Sequence, residues 1–348
     1  MKKHLISLFV AFYLIGTFAL FAQNKKLVPY AVAFYNLENL FDTINNNGKY
    51  DLEFSPAGAK QWDGKKYWAK IDRMAYCISQ LAKENCPMGP AVIGVSEIEN
   101  RSVLEDLVKA KDIAHLNYQI VHYDSPDLRG VDVGLLYNPL LFTVTSAKSY
   151  PFILPDKPYW KSRDQLLVSG IMNGENFHFI VNHWPSRRNG EKESRPLRVA
   201  AARLSKHICD SIRAADPTAN VIIMGDLNDD PNNVSVRDVL AAKEKRKNVK
   251  PGDLFNPMSE LHKKGIGSLG YQGSWNLFDQ IIITGNLLGD DRNTFKFWKA
   301  EVFNKDFLIQ QEGRYKGYPL RTYSSNVFQN GYSDHFPVLV YLIKYYNE

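Results

Sequence analysis

The chain has 348 residues, 45% hydrophobic and 23% charged, with 43 Lys+Arg against 37 Asp+Glu and a net charge of +6. These proportions exclude a disordered or collagen-like protein, and three cysteines are too few to staple a fold. The charge excess is mild, so it admits an anionic substrate without demanding nucleic acid.

Lys2 and Lys3 precede an apolar run from Leu5 to Ala22. A basic start, an apolar core and an exit through a small residue predict a secretory signal peptide over 1–22 and a secreted or periplasmic protein. Left uncleaved, that run just reaches the length of a short membrane span, and membrane contact is expected only through it. No Gly/Ser or Pro linker interrupts residues 23–348, so one domain is expected there.

In chain order, a strand is predicted at Tyr30–Asn36, then a polar insertion at Asp42–Lys66 and a helix at Trp68–Lys83. A strand at Ala91–Ile98 and a short helix at Val103–Asp112 follow, then strands at Tyr118–Tyr123, Val131–Tyr137 and Phe142–Tyr150. Leu166–Met172 and Asn176–Asn182 read as a hairpin turning at Asn173-Gly174. A long helix at Arg195–Ala214 ends before Pro217, and strands follow at Val221–Met224, Asp279–Thr284 and Phe336–Ile343. A helix running through both Cys77 and Cys86 would part them by about 13 Å. That exceeds the roughly 7 Å reach of a disulfide, so free, buried thiols are expected. Many β-runs with a few long helices predict an α/β (α+β) architecture of stacked sheets covered by helices.

The chemistry lies where polar residues meet strand ends. Asn36 follows Ala-Val-Ala-Phe-Tyr, Glu97 follows Val-Ile-Gly-Val-Ser, and His183 follows Phe-Ile-Val-Asn. Asp226 and Asn228 follow Val-Ile-Ile-Met-Gly, Asp279 opens Ile-Ile-Ile, and Asp334-His335 precede Phe-Pro-Val-Leu-Val. Each alone has an ordinary reading, such as a core histidine, an Asx turn or a local ion pair. Together they suggest one cleft, because charged groups beside apolar strands are costly when buried without partners. Carboxylate and amide oxygens suit a hard divalent cation such as Mg²⁺ or Mn²⁺, and two histidines add proton donors, an inventory for metal-assisted hydrolysis of a phosphate ester.

Phe34-Tyr35-Asn36-Leu37-Glu38-Asn39, Val95-Ser96-Glu97, Asn182-His183-Trp184-Pro185-Ser186-Arg187, Gly225-Asp226-Leu227-Asn228, Phe278-Asp279-Gln280-Ile281 and Ser333-Asp334-His335 stand in a fixed order. The ordered set resembles the endonuclease/exonuclease/phosphatase (DNase I-like) superfamily from Tyr30 to about Leu342, in its secreted bacterial form. The resemblance implies a four-layer αββα sandwich of two mixed sheets flanked by helices, with the site at one edge. It implies that Glu97 binds Mg²⁺ and that Asn36 and Asp334 complete or buttress the metal shell. It assigns Asp226 to the attacking water, Asn228 to the phosphate, His335 oriented by Asp279 to the scissile phosphate, and His183 to the transition state or leaving group.

Arg129, Arg163 and Arg187 are candidate phosphate contacts, as planar forked donors. Arg187, Arg188, Lys192, Arg195 and Arg198 form a basic stretch suited to a polynucleotide backbone. The leading expectation is therefore an exported Mg²⁺-dependent phosphodiesterase acting as a nuclease on nucleic acid. It is expected to be a monomer, with no protein partner implied. The alternatives are a phosphatase or lipid phosphodiesterase, with Phe295, Phe297, Trp298, Phe303 and Phe307 as a membrane-touching hairpin, and a catalytically dead binding module.

Overall fold

The computed structural model describes residues 26–44, 52–188 and 190–346. The expected signal peptide and residues 45–51 of the polar insertion lie outside that set. The strands are β1 (Lys26–Leu40), β2 (Val92–Ile98), β3 (Gln119–His122), β4 (Asp132–Tyr137), β5 (Thr143–Tyr150), β6 (Gln165–Met172), β7 (Glu175–His183), β8 (Asn220–Asp226), β9 (Ala242–Lys243) and β10 (Leu254–Phe255). They continue as β11 (Leu269–Tyr271), β12 (Ser274–Asn276), β13 (Asp279–Thr284), β14 (Lys296–Val302), β15 (Tyr323–Ser324), β16 (Val327–Phe328) and β17 (Val338–Tyr346). The α-helices are α1 (Gly64–Gln80), α2 (Arg101–Lys109), α3 (Glu191–Ala215) and the short α4 (Met258–Lys263).

One sheet has the order β14-β17-β1-β2-β4-β3 and the other β5-β6-β7-β8-β13-β10-β9; β11–β12 and β15–β16 are separate hairpins. Both large sheets are mixed, since β1–β2 and β7–β8 pair in parallel while most neighbours run antiparallel. Two apolar clusters show the layering. Ile71, Met74 and Ile78 of α1 and Leu104 and Leu107 of α2 pack with the first sheet, whose other face meets the second sheet. Ala201, Ala202, Ile208 and Cys209 of α3 pack with Val221 and Ile223 on the outer face of the second sheet. These are the four layers expected. Gly94 lets the sheets approach, because a Cβ there would sit 2.9 Å from Met224 Sδ.

Element ends differ from the sequence reading for local reasons. Helix α1 starts four residues before Trp68 because Asp63 caps it, accepting from Lys66 N at 2.9 Å. It stops at Gln80 rather than Lys83, with Ala82 in the left-handed region at φ 58°. Cys77 and Cys86 are nonetheless free and buried, as is Cys209. Helix α3 starts at Glu191, where Glu191 and Glu193 favour the first turn, and it carries Pro196 inside it. The polar insertion contributes to the core: Trp62 is fully buried, and its indole donates to the Phe41 carbonyl at 3.0 Å. The aromatic run lies on and just beyond the edge strand β14, with Phe295, Phe297 and Phe303 buried, while Trp298 is exposed and packs edge-on against Tyr341 at 5.9 Å, so three of the five rings offer no membrane-touching surface.

Candidate active site

Side-chain alternation delivers most of the site. In β8, Ile222 and Met224 face the other sheet while Val221 and Ile223 face α3, so the period of two turns Asp226 inward with Met224. The same phase carries His183 inward behind Phe177, Phe179 and Val181 of β7, and Asp279 inward ahead of Ile281 and Ile283 of β13. The register then aligns them: His183 pairs with Asp226, and Asp226 with Asp279, across three adjacent strands. Gly225 allows this approach, since a Cβ there would lie 2.2 Å from the Asn182 carbonyl oxygen.

Glu97 reaches the cleft by breaking the alternation. Val95 and Ile98 both lie on the α2 side, where a Cβ on Gly134 would meet both of them and Leu104. Two residues three apart on one face require a bulge, and the register of β2 against β4 shifts between Ser96 and Ile98. Glu97 is the extra residue, at φ 59°, and the bulge re-aims its carboxylate towards the cleft. The facing end of β1 carries a matching irregularity between Asn36 and Leu40, with Glu38 at φ 48° and Asn39 at φ 51°. Asn228 also holds a left-handed backbone, at φ 50°. Four left-handed, non-glycine residues thus border the cleft.

The groups lock together across the sheets. Asn36 Nδ2 donates to Asp226 Oδ2 at 3.2 Å, and Asp226 Oδ1 accepts from Asn228 N at 2.9 Å. The Asn228 amide donates to the Trp184 carbonyl at 3.0 Å. His335 Nδ1 lies 2.6 Å from Asp279 Oδ2, and donor atoms of Asp226, Asp279 and His335 all fall within 4.8 Å of one another. His183 Nε2 is 3.6 Å from Asp226 Oδ2 and 3.7 Å from Glu97 Oε1, while its Nδ1 is buried without a protein partner.

Burial and charge set the protonation states. Burial would lower His335, but the Asp279 carboxylate outweighs it and holds the imidazolium well above the ordinary range. Burial and the Arg163 guanidinium instead hold His183 well below it, so His183 is neutral. Burial lifts Asp226 to about 7, with Asp279 adding to the rise and His335 opposing it. Burial also acts to raise Glu97, yet the Arg129 guanidinium, by its charge and its hydrogen bond, overcomes it and keeps that carboxylate far below its usual value.

The arginines divide into two kinds. Arg163 is buried, donating through Nε to the His183 carbonyl (3.1 Å), through Nη2 to the Trp184 carbonyl (2.7 Å) and through Nη1 to Asp127 (3.0 Å). Arg187 donates to the Asn228 carbonyl (2.9 Å) and to Asp229 (3.1 Å), and stacks on the Phe278 ring at 4.4 Å. Both arginines brace the strand ends through these bonds, and the Arg187 side chain stays partly exposed beside them. The basic stretch is reduced as well: Arg195 is tied to Glu191 and buried Arg198 to Asp229, leaving Arg188 and Lys192 as its exposed members. Arg129 does border the cleft, with a side chain 40% exposed and paired to Glu97 at 3.1 Å.

Three residues escaped the sequence reading. Arg321, with its side chain 47% exposed, joins Asp334 Oδ2 (2.9 Å) to Glu38 Oε1 (3.2 Å), and buried Lys70 lies behind Glu38 at 3.9 Å. Burial lifts Glu38 to about 7 against the pull of Lys70 and Arg321, and lowers Lys70 to about 8 despite Glu38. The left-handed turn in the opening Asn motif already contained Glu38. Lys70 and Arg321 sit in a helix and a loop whose local sequence carries no such signal.

A family profile described as "Endonuclease/Exonuclease/phosphatase family" matches residues 31–344. Among solved structures, truncated Caenorhabditis elegans TDP2 is 18% identical with a TM-score of 0.50, the match covering 90% of this chain and 97% of that one. D. rerio TDP2, complexed with single strand DNA product, is 15% identical with a TM-score of 0.53 over 90% of this chain and 98% of that one. An endonuclease/exonuclease/phosphatase family protein from Bacteroides thetaiotaomicron is 16% identical with a TM-score of 0.53 over 91% and 98%. These likenesses are likenesses of fold. No curated protein matches the sequence.

Proposed function

The chain belongs to the endonuclease/exonuclease/phosphatase family, hydrolases acting on phosphoester bonds, and from that premise we propose that it is an exported, Mg²⁺-dependent phosphodiesterase that cuts a nucleic-acid strand. One observation carries the proposal: the aligned row His183, Asp226 and Asp279 on one sheet, met from the other by Asn36, Glu97 and His335.

The donor set fits a hard divalent cation. Glu97 is held anionic and Asp334 is partly exposed, Asn36 offers an amide oxygen, and the three thiols are buried with burial-raised pKa values. Glu97, Asn36 and Asp334 would hold the ion. Bound there, it supplies positive charge to the phosphate oxygens as the ester bond breaks.

The chain's own groups handle the protons. Asp226, with a pKa near neutrality, takes a proton from water as the water oxygen bonds to phosphorus. The bond from phosphorus to the leaving oxygen breaks, and that oxygen takes a proton from His335, which Asp279 keeps charged. Neutral His183 and Asn228 hydrogen-bond non-bridging oxygens.

A polynucleotide substrate is supported by the single strand DNA product held by the D. rerio neighbour and by the rim of the cleft. Trp275 stacks on Phe336, the residue after His335, at 5.9 Å, and Tyr271 on the same hairpin is 63% exposed. Such faces suit unpaired bases. Arg129 adds positive charge at the Glu97 carboxylate. The test is a substrate panel in Mg²⁺: single- and double-stranded DNA, RNA, sphingomyelin, inositol phosphates and a chromogenic monoester. Preference for a strand, growing with its length, supports the reading. Turnover confined to the lipid or to monoesters would overturn the nuclease part and leave the hydrolase.

A further inference from the structure

Behind the catalytic row lies a group of charges that the proposed reaction does not use. Lys70 of α1 is 1% exposed, and its ammonium donates to Thr322 Oγ1 at 2.5 Å and to the Tyr332 carbonyl at 2.5 Å. Glu38, equally enclosed, accepts from Thr322 N at 2.6 Å and from Arg321 Nε at 3.2 Å. The other arm of Arg321 holds Asp334. A helix, a strand bulge and a loop are thus linked through four alternating charges that end on a candidate metal carboxylate.

A buried ammonium is costly, and an apolar side chain of similar length would fill the same space without that cost. What distinguishes Lys70 is the pair of positions it grips. Thr322 and Tyr332 bracket the β15–β16 hairpin, and the residues that follow Tyr332 are Ser333, Asp334 and His335. Ser333 Oγ is fastened in turn to the Asn36 carbonyl at 2.7 Å. The segment that delivers Asp334 and His335 is therefore gripped at both ends.

We propose that Lys70, Glu38 and Arg321 are positioning residues that fix where Asp334 and His335 stand in the cleft. The inference deepens the phosphodiesterase reading and rests on it. Residues that orient metal-binding groups typically change metal affinity or activity by about 10–100-fold when replaced, whereas a pair serving the fold alone would move only stability.

The experiment uses the full mature chain. Lys70→Met leaves the buried Glu38 carboxylate with Arg321 as its one cation, so the double variant Glu38→Gln/Lys70→Met, which removes both charges, is measured with it, and Arg321→Gln tests the half-exposed end separately. Each is read by Mn²⁺ titration calorimetry, by kcat and KM on bis(p-nitrophenyl) phosphate, and by Tm. The expected result is Mn²⁺ binding weakened about 10-fold or more, a comparable loss of kcat with a smaller change in KM, and a Tm for Arg321→Gln close to wild type. Native Mn²⁺ affinity and kcat in a folded double variant, or in Arg321→Gln, would overturn the proposal. If the wild type binds Mn²⁺ yet cleaves no phosphodiester, the functional reading fails, and the Mn²⁺ comparison still decides the positioning role.

Discussion

Asn36 and Asp226 stand on different sheets, and a single hydrogen bond of 3.2 Å joins them across the interface. His335 and Asp279 make a second such link at 2.6 Å. Neither strand set owns the site, so the cleft exists only in the packed pair of sheets. A change that slides one sheet over the other would separate both pairs.

Removal of divalent metal by chelation is expected to abolish hydrolysis, and Mg²⁺ or Mn²⁺ to restore it, because the donors are hard oxygens. Full turnover in excess chelator after exhaustive dialysis would contradict this.

His335→Ala and Asp226→Asn should each lower kcat by about two to four powers of ten, the scale for losing a proton-handling group. Both residues lie at the sheet ends rather than in the apolar clusters. Circular dichroism and Tm near wild type are therefore expected to accompany the loss.

The pH profile follows from the two shifted groups. In the proposed reaction Asp226 works as the anion, and burial raises it to about 7, so activity should rise as pH climbs through that value. His335 acts as a cation held above its ordinary range, so activity should fall again only at alkaline pH. Asp279→Asn removes the carboxylate that raises His335, and the alkaline limb should move to lower pH. A limb that stays in place would detach Asp279 from His335.

Arg198→Met should act on stability, not on substrate. Its buried guanidinium lies 2.7 Å from Asp229, and losing one partner of a buried pair costs about 3 kcal/mol. Arg188→Ala/Lys192→Ala should instead leave Tm unchanged, raise KM for a long strand and reduce its salt dependence. The comparison of Tm with KM separates the two kinds of basic residue.

The three thiols should resist modification in the native state. Burial pushes Cys77 up to about 12 and Cys86 and Cys209 up to about 11, so at pH 8 none is an exposed thiolate. Ellman's reagent should find no fast-reacting thiol before denaturation and all three afterwards.

What could be read from the sequence follows from what is local. The inward turn of Asp226, His183 and Asp279 is encoded in the alternation of their own strands. Alternation alone would place Glu97 with Val95 on the helix side; its turn into the cleft depends on a bulge against β4, faced by an irregularity in β1. The carboxylate partners of Arg163, Arg187 and Arg198 are not legible in the sequence for a related reason. A basic residue reads as solvent-facing until its carboxylate is known, and those of Arg163 and Arg198 lie more than 30 positions away in Asp127 and Asp229. Lys70 is the extreme case, since Tyr332, the carbonyl it grips, is 262 residues distant.

Strands β1 and β17 lie side by side and antiparallel, with Lys26 opposite Tyr346 and Phe34 opposite Val338. The cleft sits at the Phe34 end. Ten extended residues separate Lys26 from Asn36, about 33 Å at the usual rise of a strand. Attachment through either Lys26 or Tyr346, whether to a bead, a fusion partner or a cell surface, therefore holds the protein by its blunt rim and leaves the catalytic mouth pointing away from the support.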